Sequence, residues 1–142
     1  MSEQKLLSEI TIVPMTPADY DDVRALWMTI RGFGIRALDD SREDIERFIA
    51  RNPTTSVVAR DGKKIVGSIL CGSDGRQGAL YHVCVARDYR RRGIAKELLR
   101  RVVEEARAYG CGAVQITASD MGVLLYTDFG FVKNGNFMQY KL

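Results

Sequence analysis

Apolar and polar positions alternate over residues 9–14, "EITIVP", and the alternation stops at Pro14, which predicts a first strand. Thr16-Pro17 then offers a helix N-cap and a proline for the first helical position. Val23, Leu26, Trp27 and Ile30 recur at helical spacing, so 17–30 reads as a helix. The stretch "RGFGIRALDD", with its glycines and acids, reads as a loop. Ser41 opens a second helix through a capping-box variant with Glu43 and Asp44. Ile45, Phe48 and Ile49 form its apolar stripe, and Asn52-Pro53 ends it.

Three strands come next. "TSVVAR" and "KIVGSILCG" flank Asp61-Gly62, a strong hairpin signal, and "GALYHVCVAR" follows the turn-rich "GSDGRQG". Residues 94–109 read as a long amphipathic helix, with Ile94, Leu98, Val102 and Ala106 on one stripe and Leu99 and Val103 beside it. Its other face is charged, and the spacing lets Glu97 pair with Arg101. Gly110 and Gly112 stop it. "AVQITA" is a short strand and "DMGVLLYTDFG" a short helix. "FVKNGNFMQYKL" reads as a closing hairpin turned by Asn134-Gly135. The order is β-α-α-β-β-β-α-β-α-β-β. An antiparallel meander followed by a parallel βαβ unit makes an α/β fold: a mixed, mostly antiparallel central sheet flanked by helices.

The chain has 142 residues, enough for one domain spanning 1–142, with the polar residues 1–8 expected to be loose. Apolar residues make up 46% and charged residues 27%, so the composition is globular. A formal net charge of +3 is too small to imply nucleic acid, so any such claim must rest on where the charge sits. No apolar run is long enough to span a membrane, and "MSEQKLLSEI" lacks the pattern of a signal peptide. Three cysteines, Cys71, Cys84 and Cys111, without CxxC spacing, argue against a disulfide framework and suit a reducing cytoplasm. A single histidine and no metal-ligand spacing argue against a metal enzyme.

The chemistry concentrates at "ARDYRRRGIAKELL", residues 86–99. Three consecutive arginines sit where a helix begins, and a helix N-terminus already carries partial positive charge. Such crowding is unfavourable unless an anion sits on the turn. Gly93 lets a ligand approach the backbone, and Ala95 keeps the first helical turn bare. Successive N–H groups there can bind phosphate oxygens, with Arg90, Arg91 or Arg92 adding charge-assisted hydrogen bonds. A solvated basic loop is the plain alternative. The pattern is neither a Walker loop nor a dinucleotide GxGxxG.

Arg90-Arg91-Arg92-Gly93-Ile94-Ala95 resembles the Arg/Gln-x-x-Gly-x-Gly/Ala signature of the GCN5-related N-acetyltransferase (GNAT) superfamily. The strand-turn-helix from Leu80 to Gly110 and the element order over 10–142 agree with that family's fold. "LLYTDFGF" resembles its second signature, a tyrosine with Gly-Phe four residues on. The resemblance implies an acyltransferase that moves acetyl from acetyl-CoA directly to a primary amine, on a small molecule or on a protein N-terminus or lysine. It implies that the turn, Arg90 to Ala95, holds the pyrophosphate of acetyl-CoA. The fourth strand would splay from the fifth, and the backbone of Val83, Cys84 and Val85 would pair with the pantetheine arm. A backbone N–H there could polarise the thioester carbonyl. Tyr126 falls at the family's general acid, protonating the leaving thiolate. Ser119 stands where the family often has a cofactor-contacting asparagine, and Gly122 where alanine is usual. Family members often form homodimers.

The proton acceptor for the amine has no family match: "VQIT" carries no acid. His82, on the fourth strand, is the candidate base, since histidine is the side chain suited to proton transfer at physiological pH, against the commoner case of a structural histidine. Asp39, Asp40, Glu43 and Asp44 either attract a cationic amine or cap a helix. Cys84 as an acyl-enzyme nucleophile lacks a His/Asn partner set and reads as packing. Two other classes of function stay open: a non-catalytic acyl-CoA-binding or sensor module, and nucleic-acid binding through Arg87, Arg90, Arg91, Arg92, Arg100 and Arg101. The second lacks interleaved aromatics and has Glu97, Glu104 and Glu105 among its arginines.

Overall fold

The computed structural model describes residues 9–33 and 40–142. Five strands form one sheet in sequence order: β1 (Ile10–Pro14), β2 (Val57–Asp61), β3 (Lys64–Ser73), β4 (Gln77–Val85) and β5 (Ala113–Gln115). The first four are antiparallel, and β5 joins β4 in parallel. Among the described residues four α-helices accompany them: α1 (Tyr20–Met28), α2 (Arg42–Arg51), α3 (Ile94–Ala108) and α4 (Val123–Phe129). The β2–β3 hairpin turns on Gly62-Lys63, and Gly62 takes φ +60°, the left-handed backbone expected of glycine at that corner.

The helix ends follow local chemistry. The Asp19 carboxylate accepts from the Thr16 N–H at 2.8 Å, and a 3₁₀ turn, Pro17–Asp19, precedes α1. The hydroxyl of Ser41 accepts from the Asp44 N–H at 3.2 Å and starts α2. Two cores cover the sheet. One face carries α3 and α4, with Ile94, Leu98, Val102 and Tyr126 packed on Val57, Val66 and Leu80. The other carries α1 and α2, with Trp27, Val23, Ile45 and Ile49 on Val58 and Leu70.

Three sequence expectations need correction. Residues 131–142 form no strand: Phe137, Met138 and Tyr140 are exposed, and neither Asn134 nor Gly135 has the positive φ that a tight Asn-Gly hairpin turn needs. The neighbouring β5 is three residues long rather than six and gives a hairpin little edge to pair with. Glu97 does not pair with Arg101. Glu97 bonds Arg100 instead, and Arg101 bonds Glu105 at 3.0 Å and the Ile12 carbonyl at 3.1 Å, tying α3 to β1. The predicted first helix is also shorter, its α-helical part ending at Met28.

Candidate active site

The pairing of β4 with β5 stops at Ala79 and Gln115, so β4 runs on with its outer edge open from Leu80 to Val85. The pairing thus ends where the two strands are expected to splay. The Ala86 N–H donates to Val66 on β3 at 2.7 Å, and backbone groups of a strand alternate between its edges. Those of Val85 and Val83 thus turn to the open side, whereas Cys84 lies opposite Ser68 of β3. Its thiol is buried, and burial pushes it up to about 11.

The basic turn closes the far end of this open edge. A 3₁₀ turn, Arg87–Tyr89, leads into it, Arg91 takes φ +63°, and Gly93 caps α3 at φ +82°. The first backbone bond of α3 runs from the Glu97 N–H to the Gly93 carbonyl at 3.1 Å. The N–H groups of residues 91–96 donate to no described residue, so six successive donors line one turn. The three arginines divide their tasks. Arg90 Nε donates to the Val85 carbonyl at 3.0 Å. Arg92 lies over the Tyr89 ring at 5.1 Å. Arg91 is exposed, and its side chain makes no hydrogen bond, ion pair or ring contact with the described residues. A run of such donors can bind an anion with several oxygens.

Tyr126 stands on the α3/α4 face. Its ring packs on Phe131 at 5.6 Å, and the residue is 8% exposed. Its hydroxyl bonds no described residue, yet among the described residues no buried side-chain oxygen lacks a partner, so the hydroxyl opens to accessible space. Burial first, and then Cys84, raise its pKa above the ordinary 10.0, which keeps the phenol protonated and able to donate. Gly122 has a reason to be glycine: a Cβ there would sit 2.8 Å from Tyr126 Cε2. The hydroxyl of Ser119 accepts from the Gly122 N–H at 3.2 Å, so its oxygen serves the turn into α4 and its proton remains to be given.

His82 stands on the opposite, α1/α2, face, where β4 bulges: Ser68 faces Cys84 but Leu70 faces Tyr81. Its φ is +50°, uncommon outside glycine. The Ser68 hydroxyl donates to the His82 carbonyl at 2.9 Å and accepts from Trp27 Nε1 at 2.9 Å. Its only proton being spent, the contact with Cys84 Sγ at 3.5 Å uses the thiol proton. The imidazole lies against Trp27, with ring centroids 4.5 Å apart, and against Phe33 at 5.2 Å. Its Nε2 sits 2.8 Å from the Asp40 carboxylate, a partner 42 positions away that no sequence spacing signals. Asp40 is 5% exposed. Glu43 and Asp44 open α2, as expected of a helix start, and Asp39 lies outside the described residues.

Among the described residues no group of three His, Cys, Asp or Glu could hold a metal ion, and no helix is long and apolar enough to cross a membrane. Arg100 is paired with Glu97 and Arg101 with Glu105, which divides the run of arginines considered for nucleic acid.

A family model, the acetyltransferase (GNAT) domain, matches residues 19–140. An acetyltransferase of Sodalis glossinidius (strain morsitans) is 38% identical over 98 residues, covering 69% of this chain and 68% of its own. Among solved structures, one described as an acetyltransferase from Pyrococcus horikoshii is similar with a TM-score of 0.72 and 26% identity over 88% of this chain, which spans 44% of that longer protein. AAC(6′)-Iy, solved with the bisubstrate analogue CoA-S-monomethyl-acetylneamine, shares the fold with a TM-score of 0.73 at 17% identity, covering 94% of this chain and 97% of its own.

Proposed function

The chain belongs to the GNAT acetyltransferase family, an acyltransferase enzyme by that membership, and we propose that it moves an acetyl group from acetyl-CoA directly to a primary amine. The observation that carries this reading is the open edge of β4 running into a turn of six N–H groups that have no partner among the described residues. A diphosphate needs several donors converging on one concavity, and a pantetheine amide chain needs a free strand edge. The residues present fit both. Residues 91–96 and the Arg91 guanidinium would hold the pyrophosphate. Val83 and Val85 would hold the arm, and Ser119 would donate to it. Acetyl-CoA, when bound, supplies an activated acyl group as a thioester.

The chain's own residues account for the rest. An N–H on the open edge of β4 polarises the thioester carbonyl. His82 accepts the proton that the amine sheds as its nitrogen pair forms the bond to the acyl carbon. Tyr126 gives its phenolic proton to the sulfur, which departs with the pair of the broken C–S bond. Tyr126 packs in the α3/α4 core and His82 against Trp27 of α1, so the two groups stand on opposite faces of the sheet. Acid and base can then act on opposite sides of the same carbonyl. The protonated, desolvated Tyr126 and the high thiol of Cys84 favour direct transfer over an acyl-enzyme. The three free cysteines support a reducing, cytoplasmic setting.

Titration calorimetry with acetyl-CoA, beside dephospho-CoA and ATP, tests the cofactor, and release of free thiol across a panel of small-molecule and peptide amines tests the reaction. Specific acetyl-CoA binding with amine-dependent thiol release is the expected result. Binding without turnover of any amine would leave a sensor module, and no binding would reduce the turn to a solvated basic loop.

A further inference from the structure

We propose that Asp40 is the positioning residue of the acceptor site: it fixes His82 in the Nε2–H form and leaves Nδ1 as the atom that takes the proton. This rests on the reading of His82 as the base. A carboxylate can only accept, so the 2.8 Å contact between Asp40 Oδ1 and His82 Nε2 requires the proton on Nε2. The neutral ring then carries its lone pair on Nδ1. That nitrogen bonds no described residue and is not sealed from solvent, since among the described residues no buried side-chain nitrogen lacks a partner.

The described neighbours of the pair limit its movement. Tyr20 of α1 donates its hydroxyl to the Asp40 carbonyl at 2.6 Å, which anchors the residue carrying the carboxylate. Trp27 and Phe33 hold the imidazole plane. Trp27 also acts through Ser68 on the His82 carbonyl, which stabilises a left-handed backbone that a histidine does not adopt freely. A strained residue braced from α1 and β3, with its ring oriented by a buried carboxylate, is an arrangement for aiming one nitrogen. When Nδ1 takes the amine proton, the ring becomes imidazolium and Asp40 already faces the new charge. No proton need pass to Asp40.

The chain has one histidine, so its ring nitrogens are the only imidazole signals in a ¹⁵N spectrum. The experiment is ¹⁵N-labelled full-length protein at the assay pH, with Asp40→Asn, Asp40→Ala and His82→Ala assayed alongside. The expected wild-type spectrum has a protonated Nε2 and an unprotonated Nδ1. Asp40→Asn keeps the shape of the side chain, so it serves even where Asp40→Ala folds poorly. It is expected to lower kcat at least tenfold with unchanged acetyl-CoA affinity, and to scramble the two signals between the tautomers. A wild-type Nδ1–H ring, or a ring protonated on both nitrogens, overturns the proposal. So does full kcat in both folded Asp40 variants while His82→Ala is inactive; that result leaves His82 as the base. Full kcat in His82→Ala instead removes the base itself, whatever the spectrum shows.

Discussion

Arg90 reaches back five residues to the Val85 carbonyl, at 3.0 Å, and so braces the basic turn against the end of β4. Arg92 is stacked on Tyr89, which leaves Arg91 as the uncommitted cation of the triplet among the described residues. Arg91→Ala is therefore expected to weaken acetyl-CoA binding about tenfold, as for one charge-assisted hydrogen bond at an exposed site, with no change in melting temperature. Arg90→Ala should lower both affinity and melting temperature. Calorimetry and thermal melts on the two variants check this. Equal behaviour of Arg91→Ala and wild type at low salt would return the anion to the backbone alone.

Gly93 combines two demands at one position. Its φ of +82° disfavours any side chain, by about 1–2 kcal/mol for an ordinary residue and more for a β-branched one. It also stands in the middle of the unpaired N–H run. Gly93→Val is expected to remove measurable acetyl-CoA binding, and Gly93→Ala to weaken it less. A folded Gly93→Val protein with wild-type affinity would defeat the phosphate assignment.

The distance from Gly122 to Tyr126 leads to a more selective prediction. A Cβ at 122 would press on the tyrosine ring at 2.8 Å, and Phe131 packs on the same ring. Tyr126→Phe should lower kcat on the order of a hundredfold while leaving acetyl-CoA affinity unchanged. Gly122→Ala should lower kcat severalfold by displacing the hydroxyl. In the Tyr126→Phe background the same alanine should cost nothing further, because no hydroxyl remains to be displaced. Additive losses in that double-mutant cycle would mean that Gly122 serves the turn and not the phenol.

How far the sequence could be read depended on range. Ser41 capping α2, Gly62 turning the hairpin and Gly93 opening α3 are signals carried within a few residues, and all three stand as read. The closing hairpin at Asn134-Gly135 was an equally local signal, but a hairpin also needs a neighbouring edge, and β5 is too short to give one. The turn proposed to hold the pyrophosphate was legible as a run of arginines before a glycine. Which arginine was free was not, because the choice depends on Val85 and Tyr89. The Asp40–His82 and Trp27–Ser68 pairs span 42 and 41 residues, and nothing in periodicity or spacing announces them.

The buried thiols are expected to weaken the fold at alkaline pH. Burial raises Cys71 and Cys84 from 9.0 to about 11. A thiol whose pKa is higher in the folded than in the unfolded chain contributes stability that is complete below the unfolded value. That contribution is lost as pH rises through the folded one. The melting temperature should thus be insensitive to these groups up to about pH 8 and fall progressively from pH 9 towards 11. Cys84→Ala removes one of the two titrations, so its own fall should be shallower by roughly 2 kcal/mol over that range, at the cost of a small cavity at neutral pH. Its turnover should stay close to wild type, since the hydroxyl of Ser68 keeps both Trp27 and the His82 carbonyl. Melts from pH 7 to 10.5 and a single thiol-release assay read both effects. Loss of turnover with intact acetyl-CoA binding would mean that the acetyl group passes through Cys84 after all.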